Sequence, residues 1–203
     1  MQSRLLSKEL EARSGKTVWS SRGFPVKFTI NDTITYSDNA YFGVALIRGN
    51  KNFLSSNRPT KPIKLASNNL FCKNSEPLAG KIAIVSGWGI CNNCGGVLIP
   101  GQLRAAEVEI FSRNYCDIAF PIALPDHIIC AGVKGKQVGI YDNRIGPDIG
   151  SPLVIGDELV GLFAYTTEFF LSGDPGYYVN VADYRSWISK KIAEGKNKNT
   201  NVD

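Results

Sequence analysis

Five cysteines and one histidine carry most of the chemistry open to this 203-residue chain. A single histidine removes every site built on two or more, so H-E-x-x-H zinc proteases and three-histidine metal centres are out. Any single-histidine site would have to use His127. Cys91 and Cys94 have the spacing of a redox C-x-x-C or of half a zinc site. Zinc needs a second ligand pair, which the sequence lacks, and no βαβ pattern surrounds the motif as a thioredoxin-like role requires. A loop disulfide is the plainer expectation, with Cys72 joined to one of the two or left over. Asn31-Asp32-Thr33 is a glycosylation sequon and makes Asn31 a candidate acceptor. Neither a metal nor a cofactor is expected.

The elements that must position these groups read mostly as short strands. Phe24, Val26, Phe28 and Ile30 alternate with Pro25, Lys27 and Thr29, the period-2 pattern of a half-buried strand. Further strands are expected at Gly43–Ile47, Lys81–Ser86, Leu103–Ile110, Asp126–Cys130, Leu159–Tyr165 and Tyr177–Val181. Gly, Pro and Asn clusters separate them. Such spacing points to an all-β sandwich or barrel. Only the end reads as a clear helix. There Tyr184, Trp187, Ile188, Lys191 and Ile192 recur at helical spacing, and Gly195 is the expected stop. A helical turn around Leu5, Leu6 and Leu10 carries little weight.

Composition narrows the partners. Hydrophobic residues make up 43% and charged residues 20%, which suits a packed globular chain rather than a disordered one. No apolar run approaches the roughly 20 residues of a membrane-spanning helix. The net charge of +5 is dispersed, and part of it sits in the terminal Lys190, Lys191, Lys196 and Lys198. Nucleic acid is therefore not an expected partner. The opening MQSRLLSKELEARSG is charged early and has no apolar core, so it does not read as a signal peptide.

Four blocks in order resemble the trypsin/chymotrypsin-like serine proteases. They are Val85-Ser86-Gly87-Trp88-Gly89, Leu124 to Gly132 (L-P-D-H-I-I-C-A-G), Asp148 to Val154, and Pro175 to Val181 followed by Tyr184 to Ile188. A weaker fifth, Gly43-Val44-Ala45-Leu46, is similar to the family's D-I-A-L. The resemblance implies a double antiparallel β-barrel with a C-terminal helix, its first barrel incomplete at the N-terminus. In that frame residues 1–203 form one domain: a first-barrel remnant at 1–57, a connector at 58–80, the second barrel at 81–181, a helix at 182–195 and a polar tail at 196–203.

Function must be read from the site rather than the fold. The family's chemistry uses a serine nucleophile, a histidine base and an orienting aspartate. Matched residue by residue, the serine position holds Ile149 and the aspartate position holds Gly43. The T-A-A-H-C block of the catalytic histidine is absent. His127 falls where the family has an ordinary loop residue, and a solvated loop histidine is the expectation for it. Ser151 is not a substitute nucleophile, because shifting it would break the Pro152-Leu153-Val154 match. Pro147 stands where the family's glycine supplies an oxyanion-hole N–H, and proline has none. Losing one such donor costs ~10²–10³ in turnover, and losing the nucleophile or base costs on the order of 10⁶. The former specificity pocket maps to Asn143, Arg144, Thr166 and Gly176, with Asn143 where trypsins carry aspartate. In the family the residue matching Asp148 pairs with an amine freed by cleavage. No activation sequence is visible here, so Asp148 is expected near solvent or paired with Arg144 rather than buried.

Cys116 and Cys130 match a family disulfide in the second barrel. Two other family bridges have lost both partners: Ala83 and Ile155 stand at one pair, and Ile145 stands at one end of the other. The resemblance implies an extracellular, non-catalytic serine protease homologue acting by binding an unidentified protein, a protease or a protease substrate. A truncated, degenerate product with no molecular role is the second expectation, since Leu10–Gly15 already resembles the strand after the histidine loop. Residual endopeptidase activity ranks third.

Overall fold

The computed structural model describes residues 9–18, 24–29, 33–37, 43–47, 60–67, 77–88, 101–120, 124–134, 148–166 and 175–197. The first four strands are β1 (Glu9–Ser14), β2 (Phe24–Thr29), β3 (Thr33–Ser37) and β4 (Gly43–Ile47). Antiparallel pairing of β1 with β2 and of β3 with β4 gives two separate two-stranded sheets among the described residues. The remaining strands build one larger sheet: β5 (Lys64–Leu65), β6 (Ile82–Gly87), β7 (Arg104–Ile110), β8 (Ile128–Gly132), β9 (Pro152–Ile155), β10 (Glu158–Thr166) and β11 (Gly176–Asn180). Their order is β11-β8-β7-β6-β9-β10-β5, and a further β10–β11 pairing closes six of them into an antiparallel barrel.

Strand alternation sorts side chains into two apolar layers. Ala83 and Val85 of β6, Val108 and Ile110 of β7, Leu153 of β9, and Val160 and Phe163 of β10 fill the barrel interior. On β11, Tyr178 points into that interior, while its neighbours Tyr177 and Val179 point outward. The outward residues meet Val44 of β4, Phe120 and Cys116 of helix α1 (Arg113–Ala119, with Phe120 as its C-cap), and Tyr184 and Ile188 of helix α2 (Val181–Asn197). Burying each such side chain contributes about 1.5–3 kcal/mol. The outer layer therefore fixes β4 and both helices against one side of the barrel.

Helix α1 was not legible as a helix. Ser112 caps it by accepting from the Tyr115 N–H at 3.4 Å, and Arg113 reaches back to Asp117 at 2.8 Å. Arg113 also donates to the carbonyls of Leu124 and Pro125, which pins the loop that follows. The Cys116–Cys130 disulfide ties α1 to β8. For α2 the cap is Asn180, whose side chain accepts from the Ala182 N–H at 3.1 Å and donates to Asp183 at 2.9 Å. The helix runs two residues past Gly195. A single glycine costs a helix only about 1 kcal/mol relative to alanine, too little to stop the backbone outright. Strand β5, within the expected connector, lies parallel to β10. Arg185 of α2 donates to the carbonyls of Leu65 and Ala66 at 3.1 and 2.9 Å and holds this segment on the second barrel.

Candidate functional site

Just before β9 the chain makes a tight turn at Asp148-Ile149-Gly150, beside the end of β6, and that turn is the centre of the candidate site. Gly150 takes φ of 88°, a left-handed conformation that glycine adopts without steric cost. Around it the Ser151 N–H donates to the Asp148 carbonyl at 2.8 Å. The Gly150 N–H donates to the Phe163 carbonyl at 2.7 Å, and the Phe163 N–H returns to the Ser151 carbonyl at 2.8 Å. The turn is thus stitched to β10. Ile149 projects from its tip with 61% of its surface exposed. A hydrocarbon there offers neither a nucleophile nor a titratable proton.

Asp148 corrects an expectation. It is only 3% exposed rather than near solvent, and its Oδ1 accepts from the Trp88 N–H at 3.1 Å. The space comes from Gly87. A Cβ at that position would press on the carboxylate, 2.8 Å from Cγ and 3.1 Å from Oδ2. Glycine at the end of β6 therefore lets the carboxylate approach the strand. Across the interior lies Tyr178, fully buried, whose hydroxyl has no hydrogen-bond partner among the described residues. Burial first, and the nearby Asp148 charge second, push its phenol well above the usual range.

The structure brings two of the expected pocket residues together. Thr166 and Gly176 face each other across the β10–β11 ladder. Gly176 in turn lies over Tyr178 and Phe163: a Cβ there would sit 3.1 Å from the Tyr178 hydroxyl and 3.2 Å from the Phe163 ring. The Ile149 turn and the Gly176 wall therefore share Phe163 as a common support. Gly43 begins β4 and is exposed, while the next residue, Val44, is buried in the outer layer with Tyr177 and Val179. Pro147, Asn143, Arg144, Cys72, Cys91, Cys94 and the sequon Asn31 lie outside the described residues.

His127 is not the solvated residue expected of it. Half-buried, it sets its ring edge-on to Tyr184 at 5.8 Å, and its carbonyl accepts from the Asn180 N–H at 2.8 Å. Its place is at the base of α2 rather than in the turn. Gly87, Trp88 and Tyr178 are the site residues that sequence reasoning did not single out. Their signal was present in the V-S-G-W-G and P-G-Y-Y blocks, read there as fingerprints without roles. Among the described residues no group of three or more His, Cys, Asp or Glu gathers as a metal site. No described helix is long and apolar enough to cross a membrane.

A trypsin family model matches residues 5–188, most of the chain. This chain belongs to the trypsin family. Trypsin beta of Drosophila erecta is 34% identical over 184 residues, covering 88% of this chain and 67% of the relative. Trypsin alpha of Drosophila melanogaster is 33% identical, covering 88% of this chain and 66% of the relative. The chain thus spans about two thirds of the length of these relatives. Among solved structures, neuropsin, a serine protease expressed in the limbic system of mouse brain, superposes with a TM-score of 0.71 at 24% identity. That match covers 92% of this chain and 80% of neuropsin and carries the likeness of fold. The trypsin-family disulfide expected between Cys116 and Cys130 is formed, with Cα atoms 5.9 Å apart.

Proposed function

We propose that this chain is a non-catalytic trypsin-family protein that acts by binding another protein in an extracellular proteolytic setting. The observation that carries the reading is Ile149, 61% exposed at the tip of the turn whose sequence matches the family's nucleophile block. Gly43 at the aspartate position and Pro147 at the oxyanion-hole position support it. Each change removes a different part of the reaction, so restoring one leaves the others missing. Exposed isoleucine on a hydrogen-bonded turn offers an ordered apolar surface for a partner to bury. The expected partner is a protease or a protease substrate. The buried disulfide suits an oxidising compartment. A closed barrel with two filled apolar layers favours a folded product over a degenerate one.

The test is turnover. Purified full chain, incubated with fluorogenic peptides bearing Lys, Arg or Phe at the scissile bond, is expected to cleave none above the no-protein rate. Ile149→Ser alone is expected not to restore cleavage. Turnover that is blocked by a serine-directed fluorophosphonate would overturn the proposal. A single cooperative melt separates the binding protein from the degenerate product, which predicts none.

A further inference from the structure

Strand β6 reads Ile82-Ala83-Ile84-Val85, apolar on both of its faces, which is the pattern of a strand covered on both sides. Ala83 and Val85 fill the barrel interior. Ile82 and Ile84 point the other way and are 56% and 40% exposed. Outward apolar residues elsewhere on the barrel are covered: Ile128 and Cys130 of β8, and Tyr177 and Val179 of β11, lie in the outer layer with β4, α1 and α2. Among the described residues no such layer includes the outward isoleucines of β6. Val154 of β9 stands beside Ile84 in the ladder and is half-buried, so the apolar strip crosses two strands.

Strand β7 borders this strip with acid. Glu107 lies opposite Ile84, and Glu109 lies opposite Ile82, in the β6–β7 register. Side chains paired in this way have Cβ atoms about 4.5–5.5 Å apart. Glu109 already meets Lys134, 3.6 Å away. Glu107 is exposed and makes no ion pair among the described residues. Covering Ile84 therefore strips water from the Glu107 carboxylate as well, and a desolvated carboxylate needs a cation to offset that cost. A second copy of the same face brings none, since it offers isoleucines and carboxylates and its Lys134 is engaged with Glu109.

We propose that the outward face of β6 and β9 is a docking surface for a segment of another protein in which aliphatic side chains alternate with Lys or Arg. The aliphatic groups cover Ile82, Ile84 and Val154, and the cation meets Glu107. Alternate residues of an extended chain are about 6.8 Å apart, so a segment lying along β6 sets every second side chain over Ile82 and then Ile84. The surface uses none of the residues of the Ile149 turn.

The probe is a short acetylated peptide alternating lysine with valine, titrated into the isotope-labelled full chain and read from backbone amide shifts. At roughly millimolar peptide the amides of Ile82, Ile84, Glu107 and Val154 are expected to move while that of Ile188 in α2 stays still. Ile82→Thr combined with Ile84→Thr keeps β-branched residues on the strand and removes apolar surface. This pair is expected to reduce the shifts at least about fivefold. Glu107→Gln keeps the shape without the charge and is expected to weaken binding about two- to fivefold at low salt, with the difference gone near ~1 M salt. A peptide alternating glutamate with valine is expected to bind at least about fivefold more weakly than the lysine peptide. Equal binding of the two peptides overturns the proposal, as do shifts that are absent or that survive the threonine pair. Sedimentation of the free chain supplies the remaining arm: a dimer that the threonine pair dissolves assigns the face to a second copy and also overturns it. Should the threonine pair unfold, Glu107→Gln and the acidic peptide decide.

Discussion

Replacing Gly87 with alanine isolates the contact on which the candidate site depends. A methyl group at this position lies 2.8 Å from Asp148 Cγ and 3.1 Å from Oδ2, closer than side-chain carbons approach in folded proteins. The barrel wall cannot yield easily, because Gly87 pairs with Arg104 in the β6–β7 ladder and its strand is continuous with Trp88. The carboxylate must therefore move, and its bond from Trp88 is lost with it. Overpacking a filled site costs about 1–3 kcal/mol, and losing a hydrogen bond to a charged group costs about 1.5–3 kcal/mol more. Alanine recovers only about 0.4–1 kcal/mol through the lower entropy of the unfolded chain. The net expectation is about 2–5 kcal/mol of destabilisation, equivalent to a Tm fall of roughly 5–15 °C for a domain of this size. Gly101→Ala is the control, since nothing lies within 4 Å of its Cβ position; it is expected to be neutral or slightly stabilising. Urea and thermal melts of the two variants measure the difference. A double variant Gly87→Ala, Asp148→Ala should be at least about 1 kcal/mol more stable than the sum of the single changes, because the clash has gone. If Gly87→Ala melts with the wild type, the carboxylate does not depend on this approach and the reasoning fails.

Removing the Cys116–Cys130 bridge, which spans 14 residues and joins two buried sulfurs, is expected to cost about 2–4 kcal/mol, read from melts of the double alanine variant. A change under about 1 kcal/mol would show that Arg113 alone suffices to hold the α1 loop. Tyr178→Phe is expected to be neutral or stabilising by about 1 kcal/mol, since it deletes a buried hydroxyl with no hydrogen-bond partner among the described residues. A loss above about 1 kcal/mol would reveal a partner for that oxygen. The exposed Lys64–Asp157 pair, 2.5 Å apart, sets a pH dependence. Its hydrogen bond first, and the Lys64 charge second, hold the Asp157 carboxyl below its usual 3.8, so the stabilisation is present above that pH and is lost as pH falls through the lowered value. The gap in urea midpoint between wild type and Asp157→Asn should therefore be present at pH 6 and close as the pH is taken down through the lowered Asp157 value; a gap that widens in acid contradicts the assignment.

How much of the fold was legible follows from which layer each strand serves. Gly43–Ile47 was read with its observed limits because alternation there meets one buried face, with Val44 inward. β6, β7, β8, β10 and β11 were placed within a few residues for the same reason: each lines the barrel interior on every second residue. β9 was hidden. Pro152 opens it, and a strand of four residues is too short to show a period. β5 is shorter still, and it exists through its pairing with Leu159 and the Arg185 clamp rather than through any pattern of its own. Helix α1 spans seven residues, of which only Cys116 is buried, so no apolar stripe could mark it. Its stability comes from the disulfide and from Arg113, both of which reach beyond the helix.

In the candidate site the residue types at the motif positions were legible, and the geometry around them was not. Ile149 and Gly43 could be named because a motif fixes the residue type expected at each position. The burial of Asp148 could not, since it depends on a glycine and a backbone N–H some 60 residues away in sequence. On local grounds a carboxylate flanked by Pro147 and Ile149 belongs near solvent, and that is the correct inference for an isolated turn. The barrel reverses it by supplying a donor and a notch where β6 ends. His127 errs in the same direction: its loop sequence is polar, yet Tyr184 of α2 closes over the ring. In both cases the deciding neighbour comes from a strand or helix remote in the chain. A sequence motif therefore names the residue this turn carries, while the packing around Gly87 determines how the turn is held.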